Sequence, residues 1–140
     1  MTAAGYEYFD VEADVGIRAW GSTLAEAFGQ AALAAFALTV NPTDVQTIEH
    51  REVRAQADSR EELLVNWINE CLYVHEIEGF VVARVDVDTC DGRMVHGTLA
   101  GEEFDPRRHR PGTIVKAATF HQTAVTETAS RVDIRLVVDV

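Results

Sequence analysis

From Phe80 to its end the chain is written almost wholly in alternation, and that constrains its fold more than any other feature. Val81, Ala83, Val85 and Val87 alternate with Val82, Arg84, Asp86 and Asp88. A period of two places successive side chains on opposite faces of a strand and cannot describe a helix. Asp91-Gly92 then supplies a two-residue hairpin turn, so Met94 to Ala100 returns antiparallel. After a loop rich in glycine, proline and charge from Gly101 to Gly112, Ile114 to Val125 reads as another strand. A turn near Thr126 to Ser130 leads to the last strand. There Val132, Ile134, Leu136, Val138 and Val140 share one face, and Arg131, Asp133, Arg135 and Asp139 share the other. The C-terminal half therefore has to be sheet.

The N-terminal half supplies the helices. Tyr6 to Val11 and Val15 to Trp20 suit half-buried strands joined around Ala13 and Asp14. Thr23 followed by Glu26 predicts a capping box, and Leu24, Phe28, Ala31, Ala35 and Leu38 draw one apolar stripe behind it. Asn41-Pro42 ends that helix, because proline disfavours a helical conformation in the residue before it. Val53, Ala55 and Ala57 alternate with polar neighbours and predict a strand. Ser59 and Glu62 then open a second helix that runs to Gly79. Its buried side is Leu64, Trp67, Ile68, Cys71 and Leu72, with Asn66, Asn69, Glu70 and Tyr73 on or near the other side. The order lacks regular β-α-β alternation, which speaks against a doubly wound fold. The expectation is a single α+β domain over residues 1–140, two-layered, with two helices on one face of a mainly antiparallel sheet.

Charge narrows the function. A formal charge of −11 opposes a free-standing nucleic-acid binder, because phosphate contacts need positive charge. Arg107, Arg108, His109 and Arg110 are a local exception, read either as a solvated loop or as a contact for an acidic partner or RNA. Lys116 is the only lysine. It reads as a snorkelling surface residue or as an ion-pairing or partner-contacting one. No apolar run approaches the roughly 20 residues of a membrane span. The N-terminus carries no secretory pattern, so a cytoplasmic protein is expected. Cys71 and Cys90 form no metal or redox motif. Phosphate-loop, dinucleotide, zincin and nucleophile-elbow signatures are absent, and the five histidines lack zinc-ligand spacing. No local signal supports an enzyme acting alone.

Asp14 sits at a bend between two strand runs, where an aspartate is ordinarily a turn former. Asp139 would ordinarily point to solvent, but the α-carboxylate of Val140 adds a hard anionic oxygen beside it. Carboxylates gathered together repel one another unless a cation neutralises them. An all-oxygen set favours calcium or magnesium over zinc or copper.

Six segments, in order along nearly the whole chain, resemble the archease family. They are Tyr6-Glu7-Tyr8, the run from Ala13-Asp14-Val15-Gly16 to Gly21, Glu62 to Glu70, Gly101 to Pro106, Val115-Lys116-Ala117-Ala118-Thr119-Phe120-His121, and Val138-Asp139-Val140. The resemblance implies an accessory protein of the GTP-dependent RNA ligase of tRNA splicing and RNA repair. Such a protein promotes guanylylation and repeated turnover, touches RNA only through the ligase, and is not itself a catalyst. It implies a divalent metal, calcium before magnesium, held by Asp14, Asp139 and the Val140 carboxylate. Glu12, Glu70, Lys116 and His121 follow as weaker partner-binding or site-supporting candidates. Many archeases have a His-Thr pair where this chain has Val11-Glu12, which removes an imidazole and adds a carboxylate. A chaperone-like module for RNA-modifying enzymes, such as tRNA methyltransferases, is the alternative.

Overall fold

The computed structural model describes residues 3–140. Strand β1 (Gly5–Val11) turns into β2 (Asp14–Gly21), followed by helix α1 (Leu24–Thr39), a short 3-10 turn (Pro42–Asp44) and β3 (Glu49–Gln56). Helix α2 (Arg60–Glu78) comes next, then β4 (Phe80–Cys90), β5 (Met94–Glu103), β6 (Ala117–Glu127) and β7 (Val132–Asp139). The α+β, antiparallel expectation holds, with one refinement. The strands form two sheets, ordered β1-β2-β7-β6 and β3-β5-β4. Every strand pair in both is antiparallel.

The two helices connect the two sheets. Each contacts strands of both sheets. Helix α2 is fastened to two of their edges by asparagines. Asn66 donates its amide to the Gln56 carbonyl of β3 at 3.0 Å. Asn69 accepts the Ala118 N–H of β6 at 2.7 Å and reaches the Ala118 carbonyl at 3.5 Å. Those side chains give the outer strands β3 and β6 hydrogen-bond partners on α2. Beneath them Trp67, wholly buried, crosses to α1 and donates its indole N–H to the Phe28 carbonyl at 3.0 Å. Truncating a side chain of that size costs on the order of 3–5 kcal/mol.

Both helix starts fall at the expected caps. Thr23 and Ser59 each accept the backbone N–H three residues on. The Glu26 side chain reaches one residue further than a capping box requires, accepting the Ser22 N–H and hydroxyl at 2.9 and 2.8 Å. Gly79 closes α2 in the left-handed region, at φ 63.

One strand start is later than expected. Residues 114–116 precede β6 rather than belonging to it. The amides just before them serve another purpose: Gly112 and Thr113 donate to the Thr39 and Leu38 carbonyls at 2.7 and 2.8 Å, satisfying the open C-terminal end of α1. Ile114 is left 80% exposed. No helix among the described residues is long and apolar enough to cross a membrane.

Candidate functional site

Alternation along β2 and β7 puts Asp14 and Asp139 on outward faces, and the register brings them together. The two strands pair antiparallel with Asp14 directly opposite Asp139. Residues so paired point to the same face with Cβ atoms roughly 4.5–5.5 Å apart. Val11 flanks Asp14 on one side and Ala117 flanks Asp139 on the other, so four strand ends converge on the pair.

Like charges directly opposite each other destabilise a sheet. Here the repulsion is compounded by burial, since the Asp139 Oδ1 atom is buried and has no hydrogen-bond partner. A buried polar atom left unmet costs about 1–3 kcal/mol, and more when charged. Val140, 36% exposed, follows immediately. Among the described residues no three side chains of the His, Cys, Asp and Glu types converge. A cation here would therefore rest on two carboxylate side chains and on main-chain oxygens. That donor set is hard and all-oxygen, suiting calcium or magnesium. The site fits such an ion on chemistry.

The weaker candidates scatter. Glu12 sits at the exposed tip of the β1–β2 hairpin, beside Ala13, whose φ of 64 lies in the left-handed region. Lys116 reaches the pair through its backbone, donating its N–H to the Asp139 carbonyl at 2.9 Å, while its side chain is exposed. Glu70 is exposed on α2 and lines a concavity with Arg54, Asn66 and Asn69. His121 lies on a bulge of β6 between Thr119 and Ala124, exposed, beside the Gln122 amide at 3.0 Å.

Asn69 is the residue that sequence reasoning undervalued. By fixing Ala118 it anchors β6 one residue from Ala117, which pairs with Asp139. Its signal was present in the chain: a short amide side chain on a helix, near a strand edge that needs partners.

The basic cluster divides: Arg107, Arg108 and Arg110 are exposed, as a solvated loop would have them, and His109 is buried. His109 is 1% exposed and Glu102 is 5% exposed. His109 accepts the Asp105 N–H on Nδ1 at 2.8 Å, which leaves the proton on Nε2 to donate to Glu102 at 3.1 Å. Glu102 also accepts from the Gln46 N–H at 2.7 Å and from the Arg108 guanidinium. Burial raises the Glu102 carboxyl pKa, but the Gln46, Arg108 and His109 donors outweigh it and hold the group below its ordinary value. This part of the cluster is an internal tie for the loop after β5. Arg108 joins it while its side chain stays 40% exposed, and Arg107 and Arg110 are exposed beside it.

The geometry defines a class: a small α+β domain with a carboxylate pair at the converged ends of its four-stranded sheet. Residues 6–140 match the model of the archease protein family (MTH1598/TM1083). The chain belongs to that family. It is 39% identical to protein archease of Saccharolobus islandicus, over 96% of this chain and 98% of that one. It is 37% identical to protein archease of Pyrococcus furiosus, over 86% and 87% respectively. The solution structure of Methanobacterium thermoautotrophicum protein 1598 superposes with a TM-score of 0.80 at 34% identity, covering 97% of this chain and 99% of that one. A Thermotoga maritima crystal structure, described as an archease and possible chaperone, shares the fold with a TM-score of 0.63 at 18% identity.

Proposed function

We propose that this protein is a metal-dependent activator of a GTP-dependent RNA ligase, acting in the cytoplasm on the ligase rather than as a catalyst itself. In this reading Asp14, Asp139 and the Val140 carboxylate hold one divalent cation, calcium in preference to magnesium. The observation that carries it is the cross-strand pairing of two aspartates, of which Asp139 has one buried oxygen with no hydrogen-bond partner. A bound cation would neutralise the pair and brace the four strand ends, giving a rigid charged tip to present to the ligase. Lys116, with Glu70 and His121 further off, would then serve ligase contact.

The test uses Asp14→Asn and Asp139→Asn, each assayed by calorimetry with calcium and by guanylylation and multiple-turnover ligation with the cognate ligase. Each variant is expected to lose calcium affinity by at least about tenfold and to return turnover to the unassisted level. Retained calcium binding in both variants removes the site. Unchanged guanylylation and turnover at saturating wild-type protein removes the function.

A second reading, a chaperone-like module for RNA-modifying enzymes such as tRNA methyltransferases, draws on one other feature. An apolar concavity of ≈ 440 Å³ lies between the end of α2 and residues 111–116, lined by Val40, Phe104, Ile114 and Val115. Metal-independent protection of unrelated client enzymes from aggregation would favour this reading over the first.

A further inference from the structure

The outward face of the four-stranded sheet is organised in rows, and the carboxylate pair is only the first of them. Across the sheet, Val11, Asp14, Asp139 and Ala117 form that row. The next is Phe9, Gly16, Val137 and Thr119. The third is Glu7, Arg18, Arg135 and Ala124. Arg18 and Arg135 are therefore directly opposed on the same two strands, roughly 13 Å along from the aspartates. The sheet carries two like-charged pairs, one anionic and one cationic.

The arginine pair is built into place. The Phe9 ring lies flat over Gly16, where any Cβ would come within 2.3 Å of it. Both guanidiniums pack on that ring, Arg18 at 4.8 Å and Arg135 at 4.4 Å from its centroid. Arg135 also donates to the Gln122 side-chain oxygen. Gln122 occupies the bulge of β6 with φ 57, a backbone conformation that residues with side chains rarely adopt. Aromatic stacking and an amide hold the guanidinium without discharging it.

Counter-charge is short. Glu7 lies 3.6 Å from Arg18, with both side chains about half exposed, so the pair is weak. Asp133 is taken by Arg131 at 2.9 Å. Among the described residues no carboxylate lies within ion-pair distance of Arg135. Arg18, Arg131 and Arg135 line one open concavity of ≈ 450 Å³ with Trp20, against the two carboxylates of Glu7 and Asp133. In a chain of net charge −11, a surplus of guanidinium around an aromatic floor is a local reversal of sign.

We propose that the Arg18–Arg135 pair, with Arg131, binds the phosphate group of a nucleotide or RNA end. Paired guanidiniums present parallel N–H donors that match the oxygens of a phosphate. A phosphate also supplies the negative charge that the opposed arginines lack. The inference stands on the arginine row alone and does not require a cation at the aspartates.

The test titrates the full-length protein, in calcium-free buffer containing a chelator, with inorganic phosphate, followed by backbone amide chemical shifts. Saturable shifts are expected around Arg18, Gln122 and Arg135. Arg18→Gln/Arg135→Gln should weaken the affinity at least tenfold, Arg135→Lys should weaken it less, and Arg93→Gln, a variant outside the arginine row that also removes positive charge, should leave it intact. Melting curves confirm that each variant is folded. If GTP binds at least tenfold tighter than inorganic phosphate, the source is a nucleotide. If a 3′-phosphorylated single-stranded oligonucleotide does, the source is an RNA end. The proposal is overturned if wild-type protein shows no saturable binding of any of the three. It is equally overturned if the double variant binds like wild type, or if Arg93→Gln loses as much as the double variant.

Discussion

Two carboxylates in this protein, the buried Glu102 and the half-buried Asp139, have opposite surroundings. Glu102 accepts from a backbone N–H, a guanidinium and an imidazole, each from the chain itself. Asp139 has a like-charged neighbour across the strand and one buried oxygen with no donor at all. A carboxylate whose partners are internal strengthens the fold, at the cost of being unavailable. One whose partners are missing weakens the fold and stays available for a ligand. The loop after β5 is thus held by its charge, while at the tip of the β2–β7 pair two carboxylates face each other without an internal donor for Asp139 Oδ1.

The comparison breaks most visibly at Glu102. Glu102→Ala strands the buried His109 and frees Arg108, and is expected to destabilise by about 3–5 kcal/mol in urea unfolding. The pH dependence follows from the depressed Glu102 pKa. Its contribution is fully present above the ordinary value of 4.5 and is lost as pH falls through the lower folded value. The difference in stability between wild type and Glu102→Ala should therefore shrink on acidification below that range. A variant within about 1 kcal/mol of wild type at neutral pH would mean that Glu102 is not a structural tie.

The aspartate end should respond in the other direction. Calcium at a hundred times its dissociation constant is expected to stabilise the wild type by about 2.7 kcal/mol, reversed by chelation. Without metal, Asp139→Asn should unfold no more easily than wild type, because it removes repulsion rather than a bond, and calcium should no longer raise its melting temperature. A metal-free Asp139→Asn that melts well below wild type would erase the contrast with Glu102.

A smaller effect sharpens the same picture. Ala13 takes a left-handed conformation one residue before Asp14. Ala13→Gly should relieve that strain and stabilise by about 0.5–1 kcal/mol in thermal unfolding, after the entropy glycine adds to the unfolded chain. No gain would show that the hairpin tip stores no strain.

Much of this was legible in the residues. Caps at Thr23 and Ser59, the stop at Gly79 and the Asp91-Gly92 hairpin are local signals, and each marks an element boundary in the structure. Partition into two sheets was not legible, because it depends on which strand edges α2 occupies, and Asn66 and Asn69 act over distance. Period-two patterning placed Arg135 and Asp139 on one face of the last strand, while Asp14 read as a turn residue at a bend, and pattern carries no register. Nothing in the chain alone says that residue 14 meets residue 139. His109 misled for a related reason: a histidine between arginines reads as solvated until Asp105 and Glu102 are brought around it.

The place of β7 in the sheet has a consequence for assembly. β7 lies between β2 and β6, although its residues are the last of the seven strands to be synthesised. The three-stranded sheet draws only on residues 49–103 and can pair within one contiguous stretch of chain. The other sheet must wait for a strand that closes a loop of more than a hundred residues onto β2, the slower kind of event in folding. Asp14 and Asp139 are carried on those two strands, so the paired aspartates sit where the chain makes its longest-range strand pairing.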